Sequence, residues 1–418
     1  MPKSIIIVGG SLAGLMQGLQ LKRLGNNVTI LEQDPNSERF SNQAGIAFGD
    51  NVDEFLNLFD ATGLAASLSC HHVHVAYHHR PNLLTVKSRR KLSSWGLLYR
   101  ILRANFDGFP SPACPNPPPP AREDGRAEYR AGRRVTDLQY SDGAVTVHFE
   151  DVSNHELEFL RADLVIGADG IHSTVRKLVH GRGTEQYAGY VSWRGTVPEK
   201  LVSKATLRYF TDRVCSNLMR RMYAICYTIP TDDGNLEPGE RLLNWVVYYN
   251  AGQGSPELTD ILTDLSGREH HNTVPQGLVR PEVWERARSV MIPQMAAPFA
   301  ELLSKTAEPF VTKVNDSLCP TATFYDDHVI LVGDALATLR PHIAHATEQA
   351  AYHCLSLAKV WTNEKTCQAW DREACLYARR MWLVSILVGN FGQGSTIAFL
   401  KSLFSYLVFM VRFKLDQR

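Results

Sequence analysis

The strongest constraint on this chain is a short β-branched run, Ser4 to Val8, that ends in Gly9-Gly10-Ser11-Leu12-Ala13-Gly14. Such a run stopping at glycines reads as a buried strand. Leu12, Leu15, Met16 and Leu19 then recur at i, i+3, i+4 and i+7, which predicts a helix. Gly25-Asn26-Asn27 is a turn, and Val28 to Leu31 reads as a second strand. Strand, helix and strand at this spacing predict a βαβ unit and hence a parallel sheet.

The glycines give that unit a chemistry. A dinucleotide fingerprint is GxGxxG between a strand and a helix. Here Gly9 and Gly14 hold the outer positions and Ser11 the middle one, with Gly10, Leu12 and Ala13 between them. Serine is small enough to let backbone approach a pyrophosphate, and the helix start offers free N–H groups to the anion. Glu32 ends the second strand, where an acid can accept from a ribose 2′-OH and disfavours a 2′-phosphate. The cradle therefore predicts FAD or NAD rather than NADP.

Composition narrows the class. A chain of 418 residues implies about two to three domains and can bury a large core. Its 44 Lys and Arg nearly cancel 43 Asp and Glu, so no basic face argues for nucleic acid. The eight cysteines form no CxxC pair, and the four apolar residues before Gly9 are too few for a signal peptide. A reducing intracellular compartment, the cytoplasm, is the expected location, with no metal centre.

Further along, Val135 to Tyr140, Ala144 to Glu150 and Glu156 to Leu160 predict an antiparallel meander that turns at Ser141-Asp142-Gly143. His71 to His79 reads as a strand, Ser93 to Phe106 as a helix, and the proline-rich residues 110–120 as an extended loop. Residues 186–250 predict a mainly β domain, and 254–308 helical stretches. Two more strands end in glycine turns: Asp163 to Ile166 before Gly167-Ala168-Asp169-Gly170, and Val329 to Val332 before Gly333-Asp334-Ala335. No internal repeat stands out.

These three motifs in this order resemble the class A FAD-dependent monooxygenases, which have the p-hydroxybenzoate hydroxylase fold. Tyr187-Ala188-Gly189-Tyr190-Val191-Ser192-Trp193-Arg194-Gly195, and Arg340-Pro341-His342 after the third motif, look like the branch that contains 2,6-dihydroxypyridine 3-monooxygenase. The proline-rich stretch after Arg103-Ala104-Asn105-Phe106-Asp107-Gly108 is similar to fungal members of that branch. The resemblance covers roughly residues 3–360. It implies an α/β fold: a Rossmann-like FAD-binding domain, an inserted mainly β substrate domain and a helical C-terminus. The corresponding expectation is 1–70, 130–185 and 285–345 for the FAD part. Residues 71–129 and 186–284 would form the substrate part and connecting segments, and 346–418 the C-terminal helices.

The resemblance also implies roles. Asp334 would bond the ribityl chain of FAD, Gly333 and Gly45 would sit against the cofactor, and Pro341 would restrict the chain beside the flavin ring. A helix starting near Ala346 would aim its N-terminus at the flavin pyrimidine edge. Asp169 would lie near FAD and the path of NAD(P)H, or else stabilise its own turn. Of Arg100 and Arg103 in the helix, Arg103 is the expected FAD ligand. The resemblance also implies that NAD(P)H visits as a transient co-substrate with no dinucleotide fold of its own, and the lack of a second glycine fingerprint agrees. O2 would then add to the flavin as a C4a-hydroperoxide, to be attacked by an aromatic or heteroaromatic substrate. Two rivals are an epoxidase or other oxidative tailoring enzyme of secondary metabolism, and a flavin-binding protein without turnover.

Departures stand out near the third motif. Ile343-Ala344-His345-Ala346-Thr347 replaces the usual glycine-rich stretch, so His345 is either an acid or base in the site, a plug, or a helix cap. His342, which matches a branch motif, is the second catalytic candidate. His71, His72, His74, His78 and His79 lack a completing carboxylate or cysteine and read as a polar strand face. Trp193 reads as a packing residue. Residues 396–411 are mostly apolar and interrupted by Lys401, with Arg412 and Lys414 following. They are expected to form a packed or homodimer helix, with interfacial membrane attachment as the alternative.

Overall fold

A computed structural model describes residues 2–416, so Met1, Gln417 and Arg418 lie outside it. Ser4–Val8 pairs in parallel with Asn27–Leu31 on one side and Leu164–Gly167 on the other. The sheet extends outward to Ala127–Arg130 at one edge. At the other it extends to Val329–Leu331 and the short antiparallel Thr323–Phe324. Its central strands are apolar almost throughout because both faces are covered, as parallel sheets require. The helix Leu12–Arg23 packs against Trp95–Asp107 and Ala346–Trp361. The antiparallel meander Arg133–Ser141, Ala144–Asp151 and Leu157–Ala162 contributes Val145, Val147 and Phe149 to the same core. Its first hairpin turns at Asp142-Gly143, where both residues have positive φ (51° and 68°), the two-residue loop that matches strand twist.

A second, larger sheet has Thr184–Pro198 near its middle, paired antiparallel to Leu242–Asn250 and Phe310–Leu318. Met222–Ile229, Arg213–Met219, His72–Tyr77 and Arg80–Lys87 continue it outward. Alternation sorts its side chains. Val191, Trp193, Trp245 and Val247 face a core closed by the helices Pro281–Met291 and Ala297–Lys305, where Trp284 lies over both tryptophans. Arg194, Val246 and Tyr248 face the other way, into the cleft beside the first sheet.

The domain boundaries depart from expectation. Residues 285–318 belong to the second sheet and its helices rather than to the nucleotide-binding part, because Phe310–Leu318 pairs with Thr184–Pro198. Conversely, Leu98, Leu102 and Phe106, expected in the substrate part and connecting segments, are buried in the first core. The first turns of the C-terminal region join that core too, through Ala350, Ala351, Cys354 and Leu357. Pairing and burial join segments far apart in the chain, so contiguous blocks were the wrong units.

The histidine row has a simple outcome. His74 is buried, and its ring nitrogens bond Thr85 Oγ1 (2.7 Å), Asn82 Oδ1 (2.6 Å) and the Pro81 carbonyl (3.1 Å). It is therefore a satisfied core histidine rather than part of an exposed polar face. The C-terminal helix Thr396–Asp416 packs along one side on the helix Cys367–Gly392. It buries Ser402 and Phe409 yet leaves Ile397, Leu400, Phe404, Leu407 and Val411 exposed. Its segment Thr396–Phe413 is long and apolar enough to cross a membrane by length and composition only, and is 11% buried. The Lys414 side chain lies outside the described residues.

Candidate active site

The cradle forms because the first strand runs straight into a turn that tolerates no side chain. A Cβ on Gly14 would stand 1.9 Å from the Gly9 carbonyl oxygen, and one on Gly9 would stand 2.5 Å from the Ala168 oxygen. Ser11 is the N-cap of Leu12–Arg23 but makes no side-chain cap bond, and the first turn carries no acid. The helix start therefore keeps N–H groups and a positive end for an anion. Glu32 is buried, and its carboxylate accepts from the Gly10 N–H (2.8 Å) and the Asp34 N–H (2.9 Å). It clamps the cradle turn to the end of the second strand.

The second motif supports the cavity from behind. The Asp169 carboxylate accepts from Ser173 Oγ (2.5 Å), Thr174 N–H (2.7 Å) and Val175 N–H (3.0 Å), starting the helix Thr174–Leu178. Burial raises its pKa against those hydrogen bonds. This is the turn-stabilising role; its neighbours Ala168 and Gly170, rather than Asp169 itself, line the cavity. Arg176 joins the second motif to the third by donating to the carbonyls of Ile171 (2.5 Å) and Ala335 (2.7 Å).

In the third motif, Gly333 has φ +56°, and a Cβ there would lie 2.9 Å from the Ala13 side chain. Its N–H donates to His353 Nδ1 (3.0 Å), whose pKa burial pushes down to about 3, so His353 is neutral. Gln349 holds the carbonyls of Gly333 (3.3 Å) and Ala337 (2.7 Å). The turn thus presents Asp334 to the cavity with one carboxylate oxygen, Oδ1, buried and unpartnered. Burial raises this carboxyl to about 6, with the Arg176 charge opposing the shift. An orphaned acceptor of this kind calls for a donor from a bound group.

Pro341–Ile343 forms one turn of 3-10 helix, followed by Ala344 in the left-handed region (φ +45°). Arg90 pins this loop by donating to the Ile343 carbonyl (2.6 Å). The helix Ala346–Trp361 follows, with Ala346, Thr347 and Ala350 on the cavity. Its first-turn acid, Glu348, faces away and accepts from the Gly49 N–H (2.9 Å) and Asn51 N–H (2.8 Å). His345 occupies the N-cap position without capping; its Nε2 bonds the Tyr377 hydroxyl (2.7 Å) on the helix Cys367–Gly392. Burial lowers its pKa, with Glu348 raising and Arg90 lowering it.

The face of the second sheet closes the opposite side. His342 is buried between two phenols, with Nε2 bonded to Tyr190 (2.6 Å) and Nδ1 to Tyr223. Burial, then the Arg340 charge, holds its pKa well below the ordinary value, so the ring is neutral. Tyr190 also accepts from Arg340 (3.4 Å), which donates to Asp316 (2.7 Å). Trp382 donates to the other Asp316 oxygen (2.8 Å). Both ring nitrogens of His342, the second catalytic candidate, are thus engaged by tyrosines, which leaves neither free for a direct bond to a ligand.

Cradle, third motif and sheet face enclose one cavity of about 580 Å³. Of the expected residues, Ser11, Leu12, Ala13, Gly45, Gly333, Asp334, Pro341, His342 and His345 line it. Gly9, Gly10, Gly14, Glu32 and Asp169 shape it from the layer behind. Arg103 is a correction. It is buried, pairs with Asp107 (2.8 Å), donates to the Tyr99 hydroxyl (2.7 Å) and lies 3.7 Å over the Tyr129 ring. Tyr129 in turn donates to the Gly10 carbonyl (3.2 Å), so Arg103 props the cradle from behind. Arg100 pairs with Glu38 and Asp233, and the helix offers Trp95 to the cavity instead. Sequence reasoning missed Arg90, Tyr223, Tyr227 and Tyr248. Period-2 alternation was the one available signal, since it puts Tyr223 and Tyr227 on one face of Met222–Ile229 and Val246 and Tyr248 on one face of Leu242–Asn250.

The wall fits FAD by its own chemistry: glycines where a Cβ would collide, an uncapped helix start, and an unpartnered Asp334 oxygen. The profile of the family described as FAD binding domain-like matches residues 187–316. The chain is 27% identical over 380 residues to the 2,6-dihydroxypyridine 3-monooxygenase of Paenarthrobacter nicotinovorans, covering 88% of this chain and 86% of that one. It is 28% identical over 380 residues to the 6-hydroxynicotinate 3-monooxygenase of Bordetella bronchiseptica, covering 85% and 82%. The solved 2,6-dihydroxypyridine-3-hydroxylase from Arthrobacter nicotinovorans superposes with a TM-score of 0.78 at 25% identity, covering 96% of each chain. By motif order, cradle chemistry and these full-length likenesses, the chain is an FAD-dependent monooxygenase similar to the class A enzymes.

Proposed function

We propose that this protein hydroxylates an electron-rich aromatic or heteroaromatic ring with NAD(P)H and O2. The observation that carries the reading is that a nucleotide cradle and an aromatic, hydrogen-bonded sheet face share one cavity. Bound FAD supplies two-electron reduction by the nicotinamide and activation of O2. The turn Gly9–Gly14 and the following helix start would hold its pyrophosphate, Glu32 its ribose and Asp334 its ribityl chain. Gly45, Gly333, Pro341 and the start of the helix Ala346–Trp361 would bound the flavin. The sheet face and the apolar loop residues Ile343 and Ala344 orient the ring and exclude water. Tyr190 can donate to His342 Nε2 while Nδ1–H donates to Tyr223, so a neutral His342 links the two phenols and can pass a proton between them. His345, anchored by Tyr377, is the cavity-side group placed to hold a proton beside the ligand.

The chemistry of the relatives supports the substrate class: both act on hydroxylated pyridine rings at position 3. Free cysteines fit a reducing compartment. The exposed Ile397, Leu400, Phe404, Leu407 and Val411 recur at 3-4-3-4 spacing, the seam of paired helices, which favours a second copy over a lipid surface. Light scattering reads a dimer; a monomer that sediments with anionic vesicles reverses that choice.

The test of the function is the visible spectrum of the purified protein. We expect a two-band flavin spectrum that NADH or NADPH bleaches slowly alone and faster with 2,6-dihydroxypyridine or 6-hydroxynicotinate. A product heavier by one oxygen atom should follow in air. A colourless protein that FAD cannot reconstitute overturns the reading.

A further inference from the structure

The cavity holds three arginines, Arg90, Arg194 and Arg340, against one lining acid, Asp334. Arg340 is paired with Asp316, and Arg90 donates to loop carbonyls. Arg194 differs from both. Among the described residues it has no carboxylate within ion-pair distance, and its Nε is buried without a hydrogen-bond partner. Its charge acts on Tyr227 and Tyr248, two phenols of the same sheet face. The centroid of the Phe310 ring, across the strand pair, lies 5.6 Å from its guanidinium carbon. Trp193 and Gly195, on either side in the strand, face the opposite core, so alternation fixes Arg194 on the cavity side. A guanidinium held among tyrosines with an open donor is unfavourable by itself and becomes favourable when an oxyanion completes it.

We propose that Arg194 is the specificity residue of this cavity, and that it takes a ring bearing an oxyanion, either a carboxylate or an ionised ring hydroxyl. The inference rests on the hydroxylase reading only for the aromatic nature of the ligand. A planar guanidinium can offer two parallel N–H donors to a carboxylate and one to a ring oxygen, so both anions share the same chemistry.

The test is binding to the FAD-loaded protein without nicotinamide and without air, read by the change in flavin absorbance at pH 8. Three probes separate the sources: 6-hydroxynicotinate, 2,6-dihydroxypyridine and the neutral 6-hydroxynicotinamide. At least one anion should bind about 10-fold or more tightly than the amide. Arg194→Gln should abolish that preference while amide affinity stays within about twofold, and Arg194→Lys should keep part of it. Which anion is preferred names the source. Equal binding of all three probes, failure of both anions to bind, or a preference that survives Arg194→Gln overturns the proposal. Loss of FAD from both variants overturns it as well, since the arginine then serves the cofactor. Adding NAD(P)H and air to the same samples separates the two claims: preference without turnover sinks the hydroxylase reading alone, and turnover without preference sinks only the role of Arg194.

Discussion

The two walls of the cavity are made by opposite means. On the nucleotide side the working atoms are mostly backbone: the Gly9–Gly14 turn, the N–H groups opening Leu12–Arg23, and the Gly333 turn. On the sheet side they are side chains, with Arg194, Tyr227, Tyr248 and His342 projecting from strands and a loop far apart in the chain. A backbone wall tolerates almost no substitution at its glycines, whereas a side-chain wall can be retuned residue by residue. The contrast teaches that one wall is fixed by backbone shape and the other by side chains that distant segments supply.

The contrast breaks first at Gly14. A methyl 1.9 Å from the Gly9 oxygen forces the turn open, so Gly14→Ala should weaken FAD retention by at least ~100-fold. Stoichiometric FAD in the folded variant, by absorbance ratio, would show that backbone shape does not hold the cofactor. On the other wall, His345→Ala should keep FAD and lower kcat by about 100-fold, the lower range for a lost acid or base. Since burial lowers the His345 pKa, the limb of the pH–rate profile due to it should lie below pH 6.5 and vanish in His345→Gln. Faster NAD(P)H oxidation in His345→Ala would mark the histidine as a plug instead.

Asp334 sharpens the comparison because it is the one acid lining the cavity. Asp334→Ala should weaken FAD by about 10-fold in equilibrium dialysis, the loss of a charge-assisted hydrogen bond. Its carboxyl is raised to about 6 in the fold from an ordinary 3.8. The unfolded chain therefore loses this proton at lower pH than the fold does. The stability this group contributes is fully present below about pH 4 and is lost as pH rises through 6. Melting of the FAD-free protein should accordingly show wild type losing about 2 °C relative to Asp334→Asn between pH 4 and 7. No pH-dependent difference between the two would mean that the carboxylate is already satisfied. The smallest effect should come from Tyr223→Phe, which removes the hydroxyl on His342 Nδ1 yet keeps the ring. We expect kcat to fall by about 5-fold with KM within about twofold. An equal loss in KM and no change in kcat would reduce the tyrosine pair to packing.

The cradle was legible because its signal is local. Ser4 to Gly14 carry strand, turn and helix in eleven consecutive positions, and the glycines announce a backbone that must come close to something. Asp334 was legible for the same reason, following a short apolar strand. Arg103 was misread because helix spacing says that an arginine is present but not which way the helix turns; packing aims it at Asp107 and Tyr129, and aims Trp95 at the cavity. His342 was found by motif, yet its partners lie 152 and 119 residues away in the chain. No local pattern couples positions so distant.

What the sequence by itself determined is therefore the parallel sheet, the nucleotide cradle and the order of three turn motifs, each set by strong short-range preferences of glycine, β-branched residues and helix starts. What only the tertiary structure decided is which segments share a core, which cavity arginine keeps an unpartnered Nε, and how two tyrosines hold one neutral histidine. Those outcomes depend on strand pairing and burial between distant segments, where free energy is set by complementary surfaces and by the solvation each charge loses rather than by its neighbours in sequence.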